Sequence, residues 1–360
     1  MTVESASTVE AGTSSAAQVD PPAGSRRDWR AALAFRNIGA VYVLAVQIVV
    51  FSIWIPDTFL TLATARQILN NNAIIGLAAL SIVIPLTARV FDLSFAYTMS
   101  LAGVTAAYLV DRGAGFPVAV LAAIALSLLV GLINAVVVVI LRVESLIGTL
   151  ATGSLIISFI TMVTNDTPIV SGRLAGSFTK LGQTSVLGGI TLPVLFLFAV
   201  TVVIWFVLEH TPTGRRLYAA GFNAEAARLA GVRVRTLQFR SLLVSATMAG
   251  FTGCVLASYL GSGSPTAGTP YLLPAFAAVF LGATQLKGGR FNAWGTVLAV
   301  LMLGTGITGL ALATAPPWAA NMFTGVVLIA ALASSEGQRR RLRLGGRFNR
   351  TTARRSPSTG

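Results

Sequence analysis

The sequence predicts an all-α integral membrane protein of about ten transmembrane helices, with both termini cytoplasmic. Three observations carry that expectation. Of 360 residues, 54% are hydrophobic and only 11% charged, with a mean hydropathy of +0.78, far more apolar than a soluble chain of this length. Apolar runs of roughly 17 to 25 residues recur, the length with which a helix crosses about 30 Å of hydrocarbon. They lack the alternation of barrel strands, and lipid cannot satisfy an open backbone, so they are helices. The third observation is the placement of charge. With the N-terminus cytoplasmic, only Arg66, Arg112, Arg173 and Lys180 fall outside, while every other basic residue falls inside.

Taken in order, residues 1–25 are rich in Ser, Ala and Thr, lack a basic n-region and an apolar core, and read as a disordered tail rather than a signal peptide. Residues 26–37 read as a basic interfacial segment, with Trp29, Leu33 and Arg36 at helical spacing beside Arg26, Arg27 and Arg30. The membrane domain is expected over 38–335. Its spans are Ile38 to Pro56, Asn70 to Ala88, Asp92 to Val110, Phe116 to Leu141 and Ser145 to Thr164. The second five are Thr191 to Glu209, Ser241 to Leu260, Tyr271 to Leu286, Phe291 to Thr314 and Trp318 to Ser334. Residues 336–360 form an Arg-rich disordered tail that anionic lipid would attract. The net charge of +14 therefore reflects topology and membrane lipid rather than a nucleic-acid partner.

Several chemistries are absent. A phosphate-binding P-loop needs Gly-Lys-Ser/Thr, but the two lysines, Lys180 and Lys287, follow Thr179 and Leu286. A single histidine, His210, rules out a His-based metal cluster, and its place at the end of span six fits a cation near a helix C-terminus. The lone Cys254 is a packing residue inside span seven. No metal or catalytic group is expected.

What remains is a polar island between spans six and seven, residues 211–240. Asn223 can cap a helix beginning at Ala224, Glu225 lies in its first turn and Gly231 can supply a left-handed stop. So short a helix is unstable alone and must lean on its own domain or on a partner. Asp92, with Arg89 one helical turn earlier and in reach for pairing, is the acid best placed to matter. Asn70, Asn72, Ser94, Asn134, Thr149 and Thr152 are candidate pathway or helix-junction residues by polarity alone.

Thr213-Gly214-Arg215-Arg216-Leu217-Tyr218-Ala219-Ala220-Gly221, followed by Asn223-Ala224-Glu225-Ala226-Ala227-Arg228-Leu229-Ala230-Gly231-Val232, resembles the coupling segment of ribose-type, or monosaccharide, ABC transporter permeases. Asp92-Leu93-Ser94, Leu146 to Leu150, Asn165 to Pro193, Pro265 to Thr269 with Tyr271, Leu281 to Thr284, Gly288-Gly289 and Gly295-Thr296 agree in the same order. The resemblance covers Asn37 to Ser335. It implies the membrane subunit of a bacterial inner-membrane importer for a sugar or sugar-like solute. It also implies cytoplasmic ABC ATPase subunits that use ATP and Mg, a second permease subunit (a copy or a paralogue) and an external solute-binding protein. Gly221, Asn223, Glu225, Ala226, Ala227, Arg228 and Gly231 would then engage the ATPase, with Ala226, Ala227 and Leu229 packing against it. Pro265, Thr266, Gly268 and Tyr271 would face the binding protein.

A branched-chain amino-acid or nucleoside permease is the alternative within the superfamily, and a secondary carrier or channel the alternative outside it. Departures from the family pattern bear on the solute. Ala88-Arg89-Val90-Phe91 replaces a Gly pair, which makes a positive-φ turn there costlier. Leu272 and Pro274 stand where acids are usual, and Ser94-Phe95-Ala96 replaces a Gly-containing turn.

Overall fold

A computed structural model describes residues 35–285 and 289–331, which are mostly helical, and a helix overlaps each expected span with ends that differ by up to eight residues. The expected tails 1–25 and 336–360, and most of the interfacial segment 26–37, lie outside the described residues. The chain runs through α1 (Phe35–Trp54), α2 (Pro56–Phe59), α3 (Leu62–Thr87), α4 (Phe95–Asp111), α5 (Phe116–Ala135) and α6 (Ser145–Thr164). Next come α7 (Ser177–Gln183), strands β1 (Ser185–Leu187) and β2 (Ile190–Thr191), α8 (Leu192–His210), α9 (Pro212–Phe222) and α10 (Ala224–Leu229). Then follow α11 (Val234–Leu260), α12 (Leu272–Gln285), α13 (Ala293–Leu312) and α14 (Pro317–Ala331).

Among the described residues, six helices are long and apolar enough to cross a membrane: α3, α5 with its π-helical extension Val136–Ile140, α6, α8, α11 and α13. The largest departures from the expected ends are the starts of α3 and α11. Each helix continues into polar sequence, past Arg66 and Asn70 in one case and Arg235 and Arg240 in the other, where hydropathy stops reporting it. Among the described residues, β structure is confined to the hairpin β1–β2 and an isolated antiparallel bridge between Ile169 and Gly263. The hairpin's turn, Gly188-Gly189, has φ of 54° and 94°, the double left-handed conformation a tight hairpin needs.

Helix α11 is the spine of the bundle, packed by α3, α4 and α5. Small residues permit this. Gly253 lies against the backbone of Met99, and Gly131 of α5 meets Ala246, so van der Waals contact is made backbone to backbone. Ser241, Ser245, Ala246, Ala249, Thr252 and Cys254 of α11 are all buried.

Two segments interrupt the helical pattern inside the bundle. Helix α3 ends at Ala88, the chain reverses, and residues 89–94 run back along the start of α6 before α4 begins. At the other end, Gly261 (φ 66°) stops α11. Residues 262–268 then descend along α4, where Gly263 packs on Ala107 and Gly268 on the Ala96 carbonyl. Helices α4 and α12 consequently start at a shared depth, with the Phe95 and Phe276 rings 5.9 Å apart, edge to face. At about 1.5 Å per residue, the 17 residues of α4 span about 25 Å, short of the roughly 30 Å of a hydrocarbon core.

Candidate functional site

The polar island folds as two helices. Thr211 caps α9, its Oγ1 accepting from Gly214 N at 3.3 Å, with Pro212 in the first turn. Asn223 ends α9 and caps α10, its Oδ1 accepting from Glu225 N and Ala226 N, both at 3.1 Å. Gly231, with φ 84°, terminates α10 and donates to Arg228 O at 3.0 Å. Glu225 and Arg228 form an exposed ion pair at 2.6 Å. That hydrogen bond, and then the guanidinium charge, hold the Glu225 carboxyl below the usual carboxylate range.

Several contacts seat the island on the bundle. Gly221 lies against the Thr87 carbonyl at the end of α3, and Ala227 is buried. Gln238 Nε2 donates to Ala88 O at 3.4 Å, and Tyr218 Oη donates to Phe291 O at 2.7 Å. Burial, and then the charge of Glu209, push the Tyr218 phenol up to about 12, so it stays a donor. The face turned outward carries Phe222, 80% exposed, and Leu229, 76% exposed, together with Ala226 and Arg228. This corrects the assignment of Ala227 to a partner: of the three expected packing residues, Ala227 faces its own domain and Ala226 and Leu229 face outward. Phe222 went unread because it is the last residue of α9, where the following turn rather than the helix period sets which way it faces. Helix α9 itself was legible in Thr211-Pro212, a cap followed by a first-turn proline.

The second cluster surrounds Asp92, which is fully buried. Its Oδ1 accepts from Ser94 N at 3.0 Å and Ser94 Oγ at 2.6 Å, and its Oδ2 accepts from Ser245 Oγ of α11 at 2.7 Å. Ser94 Oγ in turn accepts from Asn134 Nδ2 of α5 at 2.6 Å. Phe91 N donates to Ser145 Oγ at 3.1 Å and Leu93 N to Thr149 Oγ1 at 3.0 Å, so hydroxyls of α6 serve the open backbone of the re-entering segment. Asp92, Ser94, Asn134 and Thr149 thus meet at one junction of four helices. Thr152 is buried one turn further on and donates to Gly148 O at 3.1 Å.

Arg89 does not pair with Asp92. It adopts φ 58° and is exposed, and that left-handed turn separates the two side chains that continuous helix would have aligned. The turn expected to be costly without glycine is taken all the same, held by Arg89 N to Leu86 O at 3.0 Å and Val90 N to Pro85 O at 2.9 Å. Asn70 and Asn72 lie away from this junction. Asn70 holds the hairpin, donating to Gly189 O at 2.9 Å and accepting from Thr191 N at 2.9 Å and Thr191 Oγ1 at 3.1 Å. Asn72 is buried against Gly304 of α13 and donates to Ile68 O at 2.7 Å.

The four residues assigned to an external contact divide. Pro265 and Gly268 are buried, with Gly268 N donating to Ser100 Oγ at 2.9 Å, and Tyr271 is half-buried. Only Thr266 is exposed. The Gly, Ser and Pro content that reads as a surface loop instead lets bare backbone lie close along α4.

Comparison with known proteins bears on both clusters. A family model described as "Branched-chain amino acid transport system / permease component" matches residues 64–332. "Ribose import permease protein RbsC" of Escherichia coli (strain K12) is 32% identical over 296 residues, 81% of this chain and 91% of the relative. The chain belongs to the ribose-type ABC permease family. This permease is also similar to RbsC of Bacillus subtilis (strain 168), 29% identical over 297 residues, 82% of this chain and 92% of the relative. It resembles "D-allose transport system permease protein AlsC" of Escherichia coli (strain K12) as well, 27% identical over 317 residues, 88% of this chain and 96% of the relative. No solved structure matches the permease significantly. Both the Asp92 junction and the polar island lie within the residues that the family model matches, in a multi-pass membrane protein.

Proposed function

We propose that this chain is the membrane-spanning subunit of a bacterial ABC importer for a sugar or sugar-like solute, with α9 and α10 as the lever moved by a cytoplasmic ATPase. The observation that carries the reading is the outward face of the lever. Phe222 and Leu229 stand largely exposed on a helix pair whose other face is fixed to α3, α11 and the start of α13. Exposed apolar side chains on a rigid support are what a partner groove grips, and a rigid helix transmits movement that a loop would absorb. On this reading ATP and Mg are used by the partner, an external binding protein delivers the solute and a second permease subunit completes the pathway. The termini and α9–α10 face the cytoplasm on the strength of the charge asymmetry, and the ten helices coinciding with the predicted spans cross the bilayer.

A sugar is favoured over a branched-chain amino acid because relatives named for ribose and D-allose import align over 81% and 88% of this chain. The experiment is reconstitution of the permease with its ATPase and binding protein in vesicles. Uptake of labelled D-ribose or D-allose that needs ATP supports the proposal. Uptake that persists without the ATPase and collapses with the ion gradient would restore the carrier alternative.

A further inference from the structure

A groove of about 540 Å³ opens between the end of α5 and the start of α11. Val139 and Ile140 of the π-helical extension form one wall, Phe239 and Leu243 of α11 the other, and Arg235 and Arg240 stand exposed beside them. On α11, Thr236, Phe239, Arg240 and Leu243 recur at the spacing of a single helix face, so the groove follows one stripe. Among the described residues the one salt bridge is Glu225–Arg228, so neither groove arginine is neutralised by an acid. Glu144, the acid that follows the α5 wall in sequence, is engaged by Leu146 N at 3.3 Å and Ile147 N at 3.2 Å.

Depth adds a second constraint. The 27 residues of α11 extend about 40 Å, some 10 Å more than the hydrocarbon core. Arg235, Gln238 and Arg240 make the start of the helix polar while its far end is apolar, which puts the excess at the start. Ile140 and Leu141, 61% and 65% exposed, continue the apolar wall outward. A soluble anion would leave these walls wet, and a neutral acyl chain would leave two guanidiniums without a counter-charge.

We propose that this groove binds one anionic phospholipid of the leaflet on the α9–α10 side. Its phosphate lies between Arg235 and Arg240, and an acyl chain lies along Val139, Phe239 and Leu243. The bound lipid would tie the start of α11, directly after the lever, to the membrane surface, and this assignment stands whether or not the transported solute is a sugar.

The test is native mass spectrometry of the full chain in detergent, titrated with phosphatidylglycerol or with phosphatidylcholine of the same acyl chains. The permease is expected to keep one phosphatidylglycerol under conditions that strip phosphatidylcholine. R235Q/R240Q should bind it about tenfold or more weakly. T236W, which fills the groove and leaves its charge intact, should do the same, whereas R112Q/R173Q, at the opposite end, should bind like the wild type. Equal retention of the two lipids, or undiminished phosphatidylglycerol in both groove variants, overturns the proposal. Displacement by glycerol phosphate at equal concentration would leave only an anion site and also overturns it. So would chain-to-chain disulfide formation through T236C with loss of the lipid, since a second copy would then fill the groove.

Discussion

Gly221 lies so close to the Thr87 carbonyl that a β-carbon at this position would collide with backbone. The end of α9 and the end of α3 are therefore in direct main-chain contact. Gly221→Ala must push the two apart, and overpacking of this kind costs about 1 to 3 kcal/mol. Thermal unfolding of the purified permease should show the loss. In the reconstituted importer, ATP hydrolysis should fall out of step with uptake. An unchanged melting temperature would mean that the contact yields easily.

Asp92 accepts from three donors in a buried site. Asp92→Ala leaves all three without an acceptor, at about 1 to 3 kcal/mol for each buried group left unsatisfied. Asp92→Asn keeps one acceptor oxygen and should be the milder change, with Ser245→Ala milder again. Melting temperatures of the three variants give the order, and the reverse order would contradict the geometry.

The Glu225–Arg228 pair is fully exposed and screened by water, so its removal should barely move stability. Its electrostatic sign is nonetheless definite. Because Arg228 lowers the Glu225 pKa, the pair's contribution is present above the ordinary carboxylate range and is lost as pH falls through the lowered value. Titration of Glu225 by NMR should show that lowering in the wild type and its disappearance in Arg228→Gln. Arg228→Glu should leave the fold intact and uncouple ATP hydrolysis from transport, and full uptake in that variant would count against the lever.

Asn70→Ala removes all three hydrogen bonds that hold the Ser185–Thr191 hairpin to α3. Amide exchange across 185–191 should accelerate at least tenfold, the factor that corresponds to about 1.4 kcal/mol, while exchange in α11 stays as it was. Acceleration throughout the bundle would show that the asparagine holds more than the hairpin.

Hydropathy located the long apolar helices because burial and lipid make the same demand on composition. Caps were readable where a local pair of residues defines them, as with Asn223 and Gly231 around α10. The re-entering segments were not. Val90, Phe91 and Leu93 are as apolar as the helices on either side, and the partner that fixes Asp92, Ser245, lies 153 residues away. Arg89 pointed to an ion pair only if the backbone stayed helical, and its φ of 58° removes that premise. The inward face of Ala227 was equally hidden, since the six residues of α10 are too few for periodicity to show which side is covered.

The re-entering segment also sets an order on assembly. Phe91 and Leu93 wait for hydroxyls translated 54 and 56 residues later, and Asp92 waits for one from α11 that is made far later still. Arg89 N, Val90 N and Ser94 N find acceptors locally, but until Ser145 and Thr149 are made the amides of Phe91 and Leu93 lack the hydroxyls that receive them. The junction around Asp92 can therefore close only after both α6 and α11 have been made.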